Sequence, residues 1–112
     1  MKIIQIGTGG WGKNHCRVLS ELGVLSAVCD KDMHLAEEFG KKYSVNFYDS
    51  LETLLEKEEF DAAFICTPTI THADIATKLI ESKKHVFVEK PLTYLSEDGQ
   101  KLVDMANKNN VV

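Results

Sequence analysis

No apolar run in this sequence approaches the roughly 18 residues that a membrane-spanning helix requires. The run that follows Lys2 ends after a few residues, short of a secretory signal peptide. Paired cysteines are missing too. The three thiols, Cys16, Cys29 and Cys66, lie far apart and form no C-x-x-C. That spacing fits reduced thiols in a cytoplasmic protein, not a disulfide framework. His15, His34, His72 and His85 show no metal-ligand spacing among themselves, so no metal is expected. Basic residues are in deficit, 13 against 17 acidic ones, for a formal net charge of −4. A nucleic-acid or anionic-membrane partner is therefore not expected. Any anion bound here must be held by local geometry. Repeats, low-complexity segments and linkers are absent from the sequence, and 44% apolar with 27% charged residues is an ordinary globular mixture. The 112 residues make one domain, long enough to bury roughly two-thirds of its unfolded surface.

What is present is alternation. Lys2 to Ile6 is a short β-rich run. Trp11 to Leu22 carries His15, Val18, Leu19 and Leu22 on one helical face, and Gly23 stands where a left-handed helix end is expected. Leu25 to Asp30 reads as a strand, and Met33 to Lys42 as a helix with Leu35, Ala36 and Phe39 inward. A short strand follows near Asn46. Ser50 caps a helix bearing Leu51, Leu54 and Leu55. Ala62 to Cys66 is a strand apolar on both faces, as in a parallel sheet. Thr71 and Asp74 form a capping-box-like start to a helix reaching about Ser82. His85 to Glu89 is a further strand, and Ser96 caps a helix to Lys108. Val111 and Val112 look like a strand just begun. The expected fold is α/β: a Rossmann doubly wound parallel sheet of order 3-2-1-4-5-6 with its last strand cut short. The chain reads as the first part of something longer.

Four glycines crowd residues 7 to 12, "GTGGWG". Gly7, Gly9 and Gly12 spell G-x-G-x-x-G between a strand and a helix, the context that a dinucleotide fingerprint requires. Gly7 permits the tight turn, Gly9 lets the backbone approach a pyrophosphate, and Gly12 lets the helix pack close to the sheet. Free N–H groups at the helix start would meet the phosphate charge. Thr8, Gly10 and Trp11 complete the loop. Gly10 adds flexibility, and Trp11 either shields the phosphates or packs on the first helix. Asp30 ends the second strand, where an acid accepts hydrogen bonds from the adenosine ribose and repels a 2′-phosphate. NAD is therefore expected ahead of NADP, with Lys31 offsetting part of the repulsion. The alternative is that Asp30 is a solvated turn residue. In the expected order the ligand crevice lies between strands one and four. The segments after strands four and five, "CTPTITH" and "EKPLTY", then face the nicotinamide half.

Three segments, "GTGGWGKNH", "CTPTITHADIA" and "KHVFVEKPL", in this order and spacing, resemble the glucose–fructose oxidoreductase, myo-inositol dehydrogenase and rhizopine-catabolism (GFO/IDH/MocA) family. The resemblance covers essentially the whole chain. "GGWGKNH" further resembles members that oxidise the sugar of UDP-linked N-acetylhexosamines or their uronates. The resemblance implies an NAD(P)-binding Rossmann domain over residues 1–112, followed in family members by a substrate domain on a large, mostly antiparallel sheet, through which a homo-oligomer would form. It implies hydride transfer between the nicotinamide and a carbinol of a sugar, nucleotide sugar or cyclitol. It places Thr67, Pro68 and His72 along the cofactor. Glu89 and Lys90 flank the nicotinamide ribose, and Lys90 is the catalytic candidate. A cationic donor there would polarise the forming carbonyl and stabilise a developing oxyanion. Pro91 limits Lys90 to extended geometry, and the isomer of the Lys90–Pro91 bond is open. His72 either points toward the cofactor edge or packs at a helix start.

One departure from the family pattern is Lys83, where members usually carry glycine. A left-handed conformation there would cost on the order of 1 kcal/mol. The family's substrate domain usually supplies a further acid/base residue, so residues 1–112 alone are expected to bind cofactor without turning over a sugar. The competing reading is a stand-alone, non-catalytic NAD(H)-binding or redox-sensing module.

Overall fold

The structure, a computed structural model, describes residues 1–9, 11–68, 71–88 and 96–112, with the side chains of Trp11 and of 96–99 also outside the description. The expectations for Gly10, Glu89, Lys90 and Pro91, for the Trp11 ring and for the Ser96 cap fall outside the described residues.

Among the described residues ten elements alternate. They are β1 (Ile3–Ile6), α1 (Trp11–Glu21), β2 (Leu25–Cys29), α2 (Met33–Tyr43), β3 (Asn46–Tyr48), α3 (Leu51–Lys57), β4 (Ala62–Ile65), α4 (His72–Glu81), β5 (His85–Val88) and α5 (Ser96–Lys108). All strand pairs are parallel, in the order β3-β2-β1-β4-β5. This is the doubly wound Rossmann order that the alternation predicts. No sixth strand forms among the described residues. The Val86 N–H nevertheless donates to the Val112 carbonyl at 2.9 Å, while the His85 N–H points to Asp61 on the β4 side. Val112 thus lies along the outer edge of β5, where a sixth strand is expected.

The sheet is covered on both faces, and alternate residues of one strand divide between them. Ala27 and Cys29 of β2 join a core with Leu54, Ala76, Leu79 and Leu102 from α3, α4 and α5. Val28 faces the other way, packing with Cys16 of α1 and Phe39 of α2. The central strand β1 is buried at every position, Gln5 included.

Three local expectations change. The inward face of α1 is Gly12, Cys16 and Leu19, whereas Val18 and Leu22 are exposed. His15 is half-buried, edge-on to Phe64 at 5.7 Å, which agrees with a packed edge histidine. The capping box at Thr71 does not form. Its side chain makes no cap bond, because its hydroxyl serves the preceding turn. In β4 the second face is only half-buried at Ala62 and Phe64, and Phe64 stacks on Phe87 at 4.7 Å. The cap at Ser50 does form, accepting from the Thr53 N–H.

Four helices end in the same way. The N–H of a left-handed residue bonds three residues back, and the next N–H bonds five residues back, the Schellman pattern. The left-handed residues are Gly23 after α1, Ser44 after α2, Lys83 after α4 and Asn110 after α5.

Candidate cofactor site

The carboxyl ends of β1, β2 and β4 open onto a cleft of about 780 Å³. Strand order reverses between β1 and β4, the place where open α/β sheets bind ligands. The volume lies within the roughly 300–1,000 Å³ typical of cofactor and ligand sites.

The glycine loop forms one wall. Gly7 has φ +89°, and a Cβ there would come within 2.6 Å of the Cys66 carbonyl oxygen. Gly12 is barred from a side chain by the Gly7 carbonyl, which its Cβ would strike. Gly9 differs from both. Its backbone is not left-handed, and a Cβ there meets nothing within 4 Å. The N–H groups divide the same way. That of Gly7 donates to Cys29 O, that of Thr8 to Asp30, and that of Gly12 back to Gly9 O at 2.9 Å. The Gly9 N–H has no acceptor among the described residues. The expectation that the helix start offers free N–H groups is thus corrected at Gly12, whose N–H is already used to close the loop. Below the loop, buried Gln5 donates from Nε2 to Gly7 O at 2.9 Å.

Asp30 follows β2 directly, and its carboxylate is held on both oxygens. Thr8 donates its N–H at 2.9 Å and its hydroxyl at 2.8 Å to Oδ2. The Asp32 N–H donates to Oδ1 at 2.9 Å. The carboxylate is thus tied to the glycine loop as well as to its own turn. Three donors on an anion make charge-assisted bonds that fix its position. Thr8 itself is fully buried and faces Asp30, not the cleft. Lys31 is exposed on the rim.

The segment after β4 forms the opposite wall. The Thr71 hydroxyl donates to Pro68 O at 2.6 Å, and the Thr67 and Thr71 hydroxyls lie 2.6 Å apart. Thr71 spends its one proton on Pro68, so Thr67 donates to Thr71 and keeps its own lone pairs as acceptors. His72 is 1% exposed, and its Nε2 lies 2.7 Å from Thr67 O. A carbonyl only accepts, so Nε2 carries the proton. His72 begins α4 and ties down the Thr67–Pro68 turn while its ring borders the cleft.

Gly7, Gly9, Asp30, Lys31, Thr67, Pro68 and His72 all line this one cleft. Thr8 and Gly12 support it from behind. Sequence reasoning missed the apolar walls, Leu51 and Ile75. It also missed the far rim, where Lys78 of α4 donates to Glu52 of α3 at 2.5 Å. The rule that strand ends bind ligands pointed to the first turns of α3 and α4, where Glu52 and Ile75 sit. The Lys78 bond, with backbone and Ser50 bonds behind it, pulls the Glu52 carboxyl down to about 2. Cys29 lies at the cleft floor, and burial, then Asp30, Asp49 and Glu52, push its thiol up to about 12. It stays protonated and is no nucleophile.

Comparison with known proteins decides the family. Residues 1–112 match the oxidoreductase family with an NAD-binding Rossmann fold, GFO_IDH_MocA. The chain belongs to that family. UDP-N-acetylglucosamine 3-dehydrogenase of Acidithiobacillus ferrooxidans is 31% identical over 112 residues, all of this chain and 35% of that protein. Its solved structure superposes with a TM-score of 0.93 at 30% identity, covering 100% of this chain and 36% of the other. Myo-inositol 2-dehydrogenase of Thermotoga maritima is 30% identical over 115 aligned residues, 100% of this chain and 34% of that one. The WlbA dehydrogenase of Chromobacterium violaceum, solved with NADH and UDP-GlcNAcA, has a TM-score of 0.92 at 26% identity, covering 100% of this chain and 34% of its own. This GFO/IDH/MocA chain therefore spans about a third of the length of the curated relatives it matches.

Proposed function

We propose that this chain is the cofactor-binding part of an NAD-dependent oxidoreductase that moves a hydride between the nicotinamide and a carbinol of a sugar, nucleotide sugar or cyclitol. The observation that carries the reading is Gly9. Gly7 and Gly12 are glycines because the protein's own backbone leaves no room for a side chain. Gly9 has room, a backbone that is not left-handed and an N–H without an acceptor among the described residues, and it borders the cleft. A phosphate approaching the loop would use that space and that donor. Asp30, held in place at the end of β2, supplies the acceptor for a ribose hydroxyl and disfavours a 2′-phosphate. The residues thus fit a dinucleotide, with the pyrophosphate at Gly9 and the adenosine ribose at Asp30.

Bound there, the nicotinamide supplies the hydride acceptor or donor. The chain's own contribution is placement and proton handling. Thr67 offers an acceptor from a turn that Thr71 and His72 hold rigid. Lys90 takes the role of the cationic donor at the carbinol oxygen, stabilising negative charge there as the hydride leaves, while the O–H proton passes to the acid/base residue proposed for the further domain. The family resemblance assigns Glu89 to the nicotinamide ribose. The proposed substrate is sugar-like, because relatives of this chain are named for UDP-N-acetylglucosamine and myo-inositol. Recognition of that substrate falls to a further domain of the full protein, in keeping with the length of those relatives.

The test is a titration with NAD and NADP, read by emission of the single tryptophan in the sequence. Saturable change with NAD, abolished in Gly9→Val and weakened in Asp30→Ala, is the expected result. A folded protein that responds to neither cofactor refutes the reading.

A further inference from the structure

We propose that Thr8, through its hydroxyl, is the positioning residue that sets the cofactor preference by clamping Asp30. The inference rests on the cofactor reading above and deepens it. A carboxylate has about four lone-pair sites. Two on Oδ2 are taken by the N–H and hydroxyl of Thr8, and one on Oδ1 by the Asp32 N–H. One site remains, on Oδ1. Asp30 therefore presents a single acceptor in a fixed direction, which matches one ribose hydroxyl.

The clamp also decides what happens to a 2′-phosphate. A free carboxylate relieves like-charge repulsion by rotating away. Here rotation breaks bonds on both oxygens at once, one of them made by the hydroxyl of the fully buried Thr8. The charge stays where the 2′-phosphate would sit. The Thr8 hydroxyl has one proton, and it is committed to Asp30 at 2.8 Å. Its backbone N–H survives every substitution except proline, so the side chain is the part that evolution or mutation can vary. Lys31 is exposed beside the cleft and does not hold Asp30.

Calorimetric titration of the full chain with NAD and with NADP tests this in the wild type, Thr8→Val and Thr8→Ser. Thr8→Val keeps the shape and removes the hydroxyl. It is expected to weaken NAD binding about tenfold, the worth of one hydrogen bond to a charged group, and to reduce the NAD-to-NADP preference by a similar factor. Thr8→Ser restores the hydroxyl and should restore the preference. A merely structural role would lower both affinities together and leave their ratio alone. An unchanged ratio in Thr8→Val, with wild type still binding NAD, overturns the clamp and leaves the cofactor reading intact. Failure of Thr8→Ser to restore the ratio also overturns it. Binding of neither cofactor by the folded wild type overturns both. Thr8→Ala answers the same question if Thr8→Val does not fold.

Discussion

Replacing Lys83 by glycine should stabilise this protein. Lys83 follows α4 with φ 59°, a left-handed backbone. Its N–H donates to Ile80 O at 2.8 Å, and the Lys84 N–H donates to Leu79 O at 2.9 Å. Those two bonds lock the conformation. For an L-residue this backbone costs roughly 1–2 kcal/mol through the clash of Cβ with the following carbonyl. Glycine avoids the clash but loses more chain entropy on folding, on the order of 0.5–1 kcal/mol. The Lys83 side chain is exposed, so its removal forfeits little packing. The net gain expected is about 1 kcal/mol. For a chain of this length the unfolding entropy is about 0.23 kcal/mol/K, so the midpoint should rise by about 4 °C. The same molecule contains its own control. Gly23 closes α1 with the equivalent pair of bonds at φ +74°, so Gly23→Lys should lose about what Lys83→Gly gains. Thermal and urea unfolding followed by circular dichroism reads both. Lys83→Ala separates strain from side-chain loss, since alanine suffers the same clash. A Lys83→Gly protein no more stable than wild type, or an equal gain in Lys83→Ala, refutes the reasoning.

Other expectations follow from the cleft. Gly12→Ala drives a Cβ into the Gly7 carbonyl and should destabilise by roughly 1–3 kcal/mol in urea, whereas Gly9→Ala should stay within about 0.5 kcal/mol. Burial, with Cys66 nearby, pushes Cys16 up to about 12, and Cys29 is held as high. A thiol reagent near neutrality should therefore react fastest at the half-buried Cys66, the most accessible of the three, and Cys66→Ser should remove the fast phase. Because Cys66 lines the cleft, saturating NAD should slow it. Glu52→Gln should lower the melting temperature at neutral pH. The folded carboxyl titrates at about 2 against 4.5 ordinarily, so its ionised form stabilises the fold above pH 4.5 and that contribution disappears as pH falls to about 2. The two melting curves should converge over that window; a constant offset would remove the Lys78 bond as its cause.

The architecture was legible because two periods alternate. Runs such as Ile3–Ile6 and Ala62–Ile65 are too short and too apolar for helices, and the segments between them carry helical spacing with caps at Ser50 and Gly23. The rotation of α1 was not legible. His15, Val18, Leu19 and Leu22 form a plausible apolar face, yet Cys16 and Leu19 turn inward. The reason lies in Gly12, whose backbone contact with Gly7 fixes how the helix sits on the sheet. A close glycine contact outweighs a few exposed methyl groups. The Thr71–Asp74 pattern failed for a related reason. Thr71 has a helical backbone, φ −93° and ψ −11°, not the extended one of an N-cap, and its hydroxyl turns back to Pro68 O and accepts from none of the helix N–H groups. Gln5 left no signal beyond being a polar residue in an apolar strand. Its role appears only when Gly7 O is found above it.

The loop shows why a motif alone could not say whether its glycines hold a phosphate or turn the chain. Two of them answer to the turn, and the proposed phosphate contact falls to the third. Gly7 and Gly12 are demanded by contacts within the protein, and any tight strand-to-helix turn packed this closely would demand them whatever its ligand. Of these three, only Gly9 is a glycine for which the described residues supply no reason. The fingerprint writes all three with one letter, so the distinction exists only at the level of what surrounds each Cβ. The same holds for Asp30. Its place at the end of β2 fits a ribose acceptor, but its selectivity depends on Thr8, 22 residues away in the chain. If Thr8 lacks its hydroxyl, an acid in that place keeps its charge and loses its direction. Cofactor preference then belongs to the pair, and a scan for the acid alone would misjudge it.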